Sequence, residues 1–244
     1  MIDYQLLIPA STSDTALLNN FRNSYEKHRN SFSTDPIFFG DPHFTSCYLA
    51  SMVRPRQLLM EPGIVTSEYV VVADGFDLIV NKPLDEGLFK AFLENPNLEF
   101  IFGSEANCFP YPHYQDLFDA HARSAKLKYL NGGVMIAKRE AFLEALNHFL
   151  NPQNYNQNRW LTESDQGMAS IMYKRSLEEG SGKVDIDCEA RYSLQMFLME
   201  RDVDYSVDEN QQLTFLESGE IPYFVHFNGD SKDQMAHFGI TYGE

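Results

Sequence analysis

The stretch EYVVVADGFDLIV, residues 68–80, decides how the chain folds. Tyr69 to Ala73 are apolar without interruption, which suits a short strand covered on both faces of a parallel sheet. The run stops at Asp74, and after Gly75 and Phe76 a second carboxylate follows at Asp77. Ending a buried strand in two acids is costly unless something compensates their charge. In open α/β sheets ligands bind beyond the carboxyl ends of the strands, and this turn lies at such an end. Two carboxylates held close either raise the pKa of one of them or share a cation, and oxygen donors suit Mg²⁺ or Mn²⁺. Read alone, the spacing also serves an Asx-type turn with solvated acids.

On either side of this stretch, strand and helix patterns alternate. QLLIP (residues 5–9) reads as a first strand, followed by a polar turn and a helix through Leu17 and Phe21. An aromatic-rich loop holds Phe38, Phe39 and Phe44. Leu84, Leu88 and Phe92 have the spacing of one helical face over residues 84–93. EFIFG (residues 99–103) is another short strand, and LNGGVMIAK (residues 130–138) reads as a turn feeding a strand. The helix REAFLEALNHFL turns Phe142, Ala145, Leu146 and Phe149 inward, a second amphipathic helix follows Asp165, and a late strand lies at residues 223–226. This alternation predicts an α/β fold with a mostly parallel sheet flanked by helices, in a single domain over residues 1–244.

With 244 residues, 43% of them hydrophobic and 14% aromatic, the chain can bury a substantial core and is not a disordered sequence. A formal net charge of −16 opposes non-specific binding to nucleic acid, which draws its affinity from neutralising phosphates. An acidic chain that takes an anionic ligand needs a few well-placed cations or a divalent metal. The longest apolar runs fall short of the ~20 residues a spanning helix requires. Cys47, Cys108 and Cys188 have no metal-type spacing and read as free thiols; with no secretory signal in MIDYQLLIPAST, the expected location is the cytoplasm.

Four further segments carry candidate chemistry. YFVHFNGD (residues 223–230) delivers His226 from a strand, with Asn228 and Gly229 in a turn that can offer backbone N–H groups to an anion. His226 is a candidate third ligand beside two acids, and equally a half-buried histidine closing a strand. TESDQ (residues 162–166) places Asp165 and Gln166 where they can bind hydroxyls or take a proton, although Thr162 and Asp165 also form a capping-box pattern. In YLNGG, Asn131, Gly132 and Gly133 allow close approach to a ligand or a simple turn. GSEANCFPYP (residues 103–112) supplies Glu105 and Asn107 as hydrogen-bonding groups on a pocket wall.

Taken in order, ADGFD, GSEANCFP, YLNGG, ESDQ, IDCEARYSL and HFNGD resemble the glycosyltransferase domain of the procollagen lysyl hydroxylases. That family runs through Asp-x-aromatic-Asp, an Ala-Glu strand end before Cys-Trp-Pro, Leu-Asn-Ser-Gly-Gly, Asp-Asp-Gln, Leu-Asp and His-Gly-Asn-Gly. The resemblance spans residues 4–230, and six motifs in order are far more specific than one. It implies a GT-A glycosyltransferase, a Rossmann-like fold that binds a UDP-sugar and a divalent metal. By position, Asp74, Asp77 and His226 would hold Mn²⁺ or Mg²⁺, and Phe76 would stack on the base. Pro9, Ala10 and Ser11 would line base and ribose. Glu105, Asn131, Gly132, Gly133, Asn228 and Gly229 would border the donor, and Asp165 and Gln166 would contact donor sugar or acceptor. Arg54 or Arg56 would add a cation near the phosphates. Departures gather on the acceptor side: the Ser of the Gly-Gly tract is missing, Ser164 replaces an Asp, Phe227 a Gly and Phe109 a Trp. The implied acceptor is a hydroxyl, on hydroxylysine of a collagen-like protein, on a glycan or on a hydroxymethylated base in viral DNA. Rival readings are a sugar-nucleotide-binding protein without turnover and a metal-dependent phosphohydrolase.

Overall fold

The computed structural model describes residues 2–10, 15–30, 34–40, 47–151, 153 and 165–238. Its main sheet is built from β1 (Tyr4–Pro9), β2 (Ile37–Phe39), β3 (Tyr69–Ala73), β5 (Phe100–Glu105), β6 (Tyr129–Lys138) and β7 (Val184–Ile186). The strand order is β2-β1-β3-β6-β5-β7. Only β6 runs against the rest, pairing antiparallel with β3 and β5, so the sheet is mostly parallel as the alternation predicts. A smaller sheet of β4 (Leu78–Val80), β11 (Phe224–His226) and β8 (Ser193–Gln195) has β11 at its centre. The strands β9 (Tyr205–Val207) and β10 (Leu213–Phe215) form an antiparallel pair.

Side-chain alternation along β1 and β3 explains why both faces of the main sheet are covered. Tyr4, Leu6, Ile8, Tyr69, Val71 and Ala73 point to one core, with Phe21 of α1 (Thr15–His28) and Phe92 of α3 (Lys90–Glu94). Leu7 and Val70 point to the other, where Met52 of α2 (Cys47–Met60), Phe142 and Leu146 of α5 (Arg139–Phe149) and Met168 and Tyr173 of α6 (Asp165–Glu179) pack. Between them α4 (Gln115–His121) adds Phe118 to the second core. Each such fully buried side chain contributes roughly 1.5–3 kcal/mol, so the uninterrupted apolar run of β3 reflects burial on two sides.

The structure revises three details of the sequence reading. Residues 84–93 are not one helix: Asp85 accepts a hydrogen bond from Gly87 N at 2.9 Å and caps a 3₁₀ turn, Glu86–Phe89, before α3. Leu84, Leu88 and Phe92 are nonetheless all buried. The aromatic loop supplies the edge strand β2, and Phe44 lies outside the described residues. The Asn-Gly-Gly tract is no turn but part of the ten-residue β6, whose pairing with β5 shifts between Phe102 and Gly103. Thr162 and Ser164 lie outside the described residues.

The DGFD turn joins the two sheets. At its start Asp74 N donates to Gly133 O at 2.9 Å, continuing the β3–β6 ladder. At its end β4 pairs with β11 in a register that sets Leu78 opposite His226, and Phe227 N donates to Asp77 O at 2.7 Å. Gly75 presses against β1, and a Cβ there would stand 2.7 Å from Ile8 Cγ2 and 2.8 Å from Pro9 O. The glycine is required by this close approach.

Candidate active site

The seam between the sheets opens into a cleft of about 460 Å³, a volume typical of small-ligand sites. Asp74 and Asp77 enter from the DGFD turn and His226 from the end of β11; one ligand atom from each lies within 4.8 Å of the others. His226 Nε2 is 3.4 Å from Asp74 Oδ2 and 3.3 Å from Asp77 Oδ1. Lys232 Nζ stands 3.2 Å from Asp77 Oδ2. Two carboxylates and an imidazole nitrogen facing one point form a donor set suited to a divalent cation, so the residues fit the metal that the sequence implies.

Charge divides unevenly over this group. Burial would raise Asp77, but His226 and Lys232 outweigh it and hold that carboxyl below its usual range. Asp74 moves upward, through burial first and then repulsion from Asp77 and Asp165, with His226 opposing. Burial would lower His226, but the charges of Asp77 and Asp74 raise it. The imidazole of His226 and the ammonium of Lys232 thus meet the two acids in the cleft. These partners offset the cost of ending a buried strand in two acids.

The opposite wall is organised around Glu105, which is 4% exposed. Its Oε1 accepts from Asn131 Nδ2 at 3.1 Å and Gln166 Nε2 at 2.8 Å, and its Oε2 accepts from Asn228 Nδ2 at 2.9 Å. Burial raises this carboxyl, against the pull of the three amides. Gln166 Nε2 also faces the carbonyls of Phe109 and Leu130, and Asn131 Oδ1 accepts from Gly133 N at 2.8 Å. Their polar atoms tie β5, β6, α6 and the segment after β11 together, which fixes the shape of the wall.

Most predicted positions therefore converge. Asp74, Asp77, Glu105, Asn107, Asn131, Gly132, Gly133, Asp165, Gln166, His226, Asn228 and Gly229 all line the cleft. Pro9 lines a small adjoining cavity with Asp74, Gly133 and Asp165. Ala10 borders a separate cavity with Arg54, and Ser11 lies outside the described residues. Phe76 packs half-buried against the core beneath β1 and β3. Arg56 Nε donates to Asn147 Oδ1 of α5 at 2.6 Å, which anchors it on the helical layer. Three residues escaped the sequence reading. Lys232 carried a signal, as the first basic residue after His226; Gln195, the polar residue before the apolar run of residues 196–199, and Phe197 carried weaker ones.

Residues 57–242 match the model of the PLOD GT domain. The chain belongs to the PLOD GT domain family. It is accordingly a glycosyltransferase. Two solved structures share its fold over nearly their whole lengths. One is a glycosyltransferase involved in glycosylation of the major capsid of PBCV-1, with a TM-score of 0.60 and 16% identity over 98% of this chain and 100% of that one. The other is mouse xyloside xylosyltransferase 1 in its apo form, with a TM-score of 0.57 and 16% identity over 95% and 99%. No curated protein matches the chain. The family and both structural neighbours agree with the GT-A α/β architecture described above.

Proposed function

We propose that this glycosyltransferase moves a sugar from a UDP-sugar to an acceptor hydroxyl with the help of Mn²⁺ or Mg²⁺. The observation that carries the reading is the convergence of Asp74, Asp77 and His226 at one point in the cleft. These three residues would hold the cation. When bound, it supplies Lewis-acid stabilisation of the charge that develops on a diphosphate leaving group. Lys232, already directed at Asp77, adds positive charge to the same corner. Asp165 lines the cleft at the first turn of α6 and is the candidate to receive the acceptor's proton if configuration inverts. Glu105 and its amide partners hold the donor-side wall in one shape, which limits the ways a sugar can sit.

The acceptor is a hydroxyl of a protein, a glycan or a modified viral DNA base. The capsid-glycosylating neighbour supports a protein or glycan. A base would have to be extruded from its stack to reach the cleft. Among the described residues no helix is long and apolar enough to cross a membrane. Cys108 and Cys188 are free thiols, which fits the cytoplasmic location that we propose.

A thermal-shift screen of UDP-sugars with and without Mn²⁺ tests the reading. The donor is expected to add stabilisation only when the metal is present, by about 2.7 kcal/mol at a donor concentration 100 times Kd. Donor stabilisation that persists in EDTA would contradict metal dependence. Sugar transfer to an added acceptor marks the enzyme, binding without transfer an inactive carrier, and phosphate release from simple esters a hydrolase.

The same site predicts a pH dependence. A divalent cation competes with protons for Asp74 and His226, and both groups hold protons to higher pH than usual. Mn²⁺ affinity measured by calorimetry is therefore expected to fall as pH drops below neutrality, by about tenfold per pH unit for each proton displaced. Affinity that stays level until the ordinary carboxylate range would contradict this.

A further inference from the structure

His226 can serve as a ligand only if its Nε2 lone pair points into the cleft, and something must therefore settle which ring nitrogen carries the proton. The register of the small sheet places Gln195 of β8 directly beside His226 of β11 as its parallel partner. Gln195 Oε1 lies 2.5 Å from His226 Nδ1, far closer than Nε2 lies to either carboxylate. The other end of the amide is also committed, since Gln195 Nε2 donates to Ser193 Oγ at 3.0 Å. Both Gln195 and Ser193 are fully buried. Gly103 of β5 leaves room for this amide, because a Cβ at 103 would collide with Gln195 Nε2.

We propose that Gln195 is a positioning residue that accepts a hydrogen bond from His226 Nδ1–H and so presents the Nε2 lone pair to the space between Asp74 and Asp77. With the amide nitrogen occupied by Ser193, the oxygen is the atom left to face the ring. An oxygen cannot donate, so Nδ1 must. The imidazolium form and a form ligated through Nε2 both carry a proton on Nδ1, so this one amide orientation serves the site in either state. Groups that hold the second nitrogen of a ligating histidine set its tautomer and raise its basicity. This assignment rests on the metal-binding reading of His226, but its own readout needs no metal.

The test is long-range ¹H–¹⁵N NMR of the ¹⁵N-histidine-labelled full chain in EDTA, on the alkaline side of the His226 titration. The signal is assigned by its absence from the His226→Gln spectrum. The wild-type ring is expected in the Nδ1–H tautomer; an Nε2–H ring overturns the proposal without recourse to any variant. Gln195→Met keeps the length and removes the acceptor, and is expected to shift the ring toward Nε2–H and to weaken Mn²⁺ binding by about 10–100-fold. Gln195→Glu restores an acceptor to Nδ1, while its second oxygen can take the Ser193 hydroxyl proton, and is expected to recover the wild-type tautomer. A Gln195→Met ring that keeps the wild-type tautomer overturns the assignment. If the wild-type tautomer is as expected and Mn²⁺ still does not bind, the metal reading fails while the role of Gln195 stands.

Discussion

Asp77→Ala is expected to abolish Mn²⁺-dependent binding of the sugar donor while leaving the metal-free protein folded. The side chain removed is a carboxylate that both His226 and Lys232 approach, at 3.3 and 3.2 Å. Supporting groups around metal ligands typically contribute about 10–100-fold in affinity, and loss of a direct ligand should exceed that. The backbone at 77 keeps its role, because Phe227 N donates to the carbonyl and not to the carboxylate. The β4–β11 pairing therefore survives the substitution. Calorimetry with Mn²⁺ and UDP, alongside a melting curve in EDTA, separates the two effects. Unchanged affinity in a folded variant would remove the site assignment.

How far the sequence disclosed this site depends on which physical signal each residue leaves. Asp74 and Asp77 announce themselves because acids at the end of an uninterrupted apolar strand violate the usual rule of burial. Their partner His226 is 149 residues beyond Asp77 in the numbering and carries no local mark; order among motifs, not chemistry, connected the two. Gly133 read as a point of close approach to a ligand or as a turn, since Gly-Gly is one of the dipeptides that punctuate a chain. Only the paired strands show that β6 runs straight through the tract while its register with β5 slips. Gln195 left no comparable trace. A glutamine in a three-residue strand is unremarkable until the neighbouring strand brings a histidine alongside it. The mostly parallel sheet was readable from alternating periods, whereas α2 was not, because its mixture of polar residues and an internal Pro55 gives no clear apolar stripe.

Gly133→Ala carries the second large expected effect, and it acts through shape. A Cβ at this position would run into the Cε1 and Nδ1 atoms of His226, and would also lie 3.0 Å from Nε2. The ring cannot yield easily. It is nearly fully buried, it is held at Nδ1 by Gln195, and its backbone is locked between β4 and β8. Nor can Gly133 retreat, because its carbonyl accepts from Asp74 N and its own N–H donates to Asn131 Oδ1. One added methyl therefore has to displace the imidazole from the acids or spread the two sheets. Overpacking of this kind costs about 1–3 kcal/mol of stability, and any displacement of Nε2 removes a ligand as well. A Mn²⁺ affinity reduced on the order of 100-fold is expected, together with a lower melting temperature. Gly132→Ala is the contrasting substitution, because its Cβ would meet Gln166 at 3.3 Å, a tight contact that leaves His226 untouched. It should spare the metal and disturb the Glu105 wall instead. Should Gly133→Ala bind Mn²⁺ as tightly as the wild type, the imidazole does not sit against β6 and the cleft is assembled differently. The two neighbouring glycines thus distinguish a site held by the contact between sheets from one held by its ligands alone.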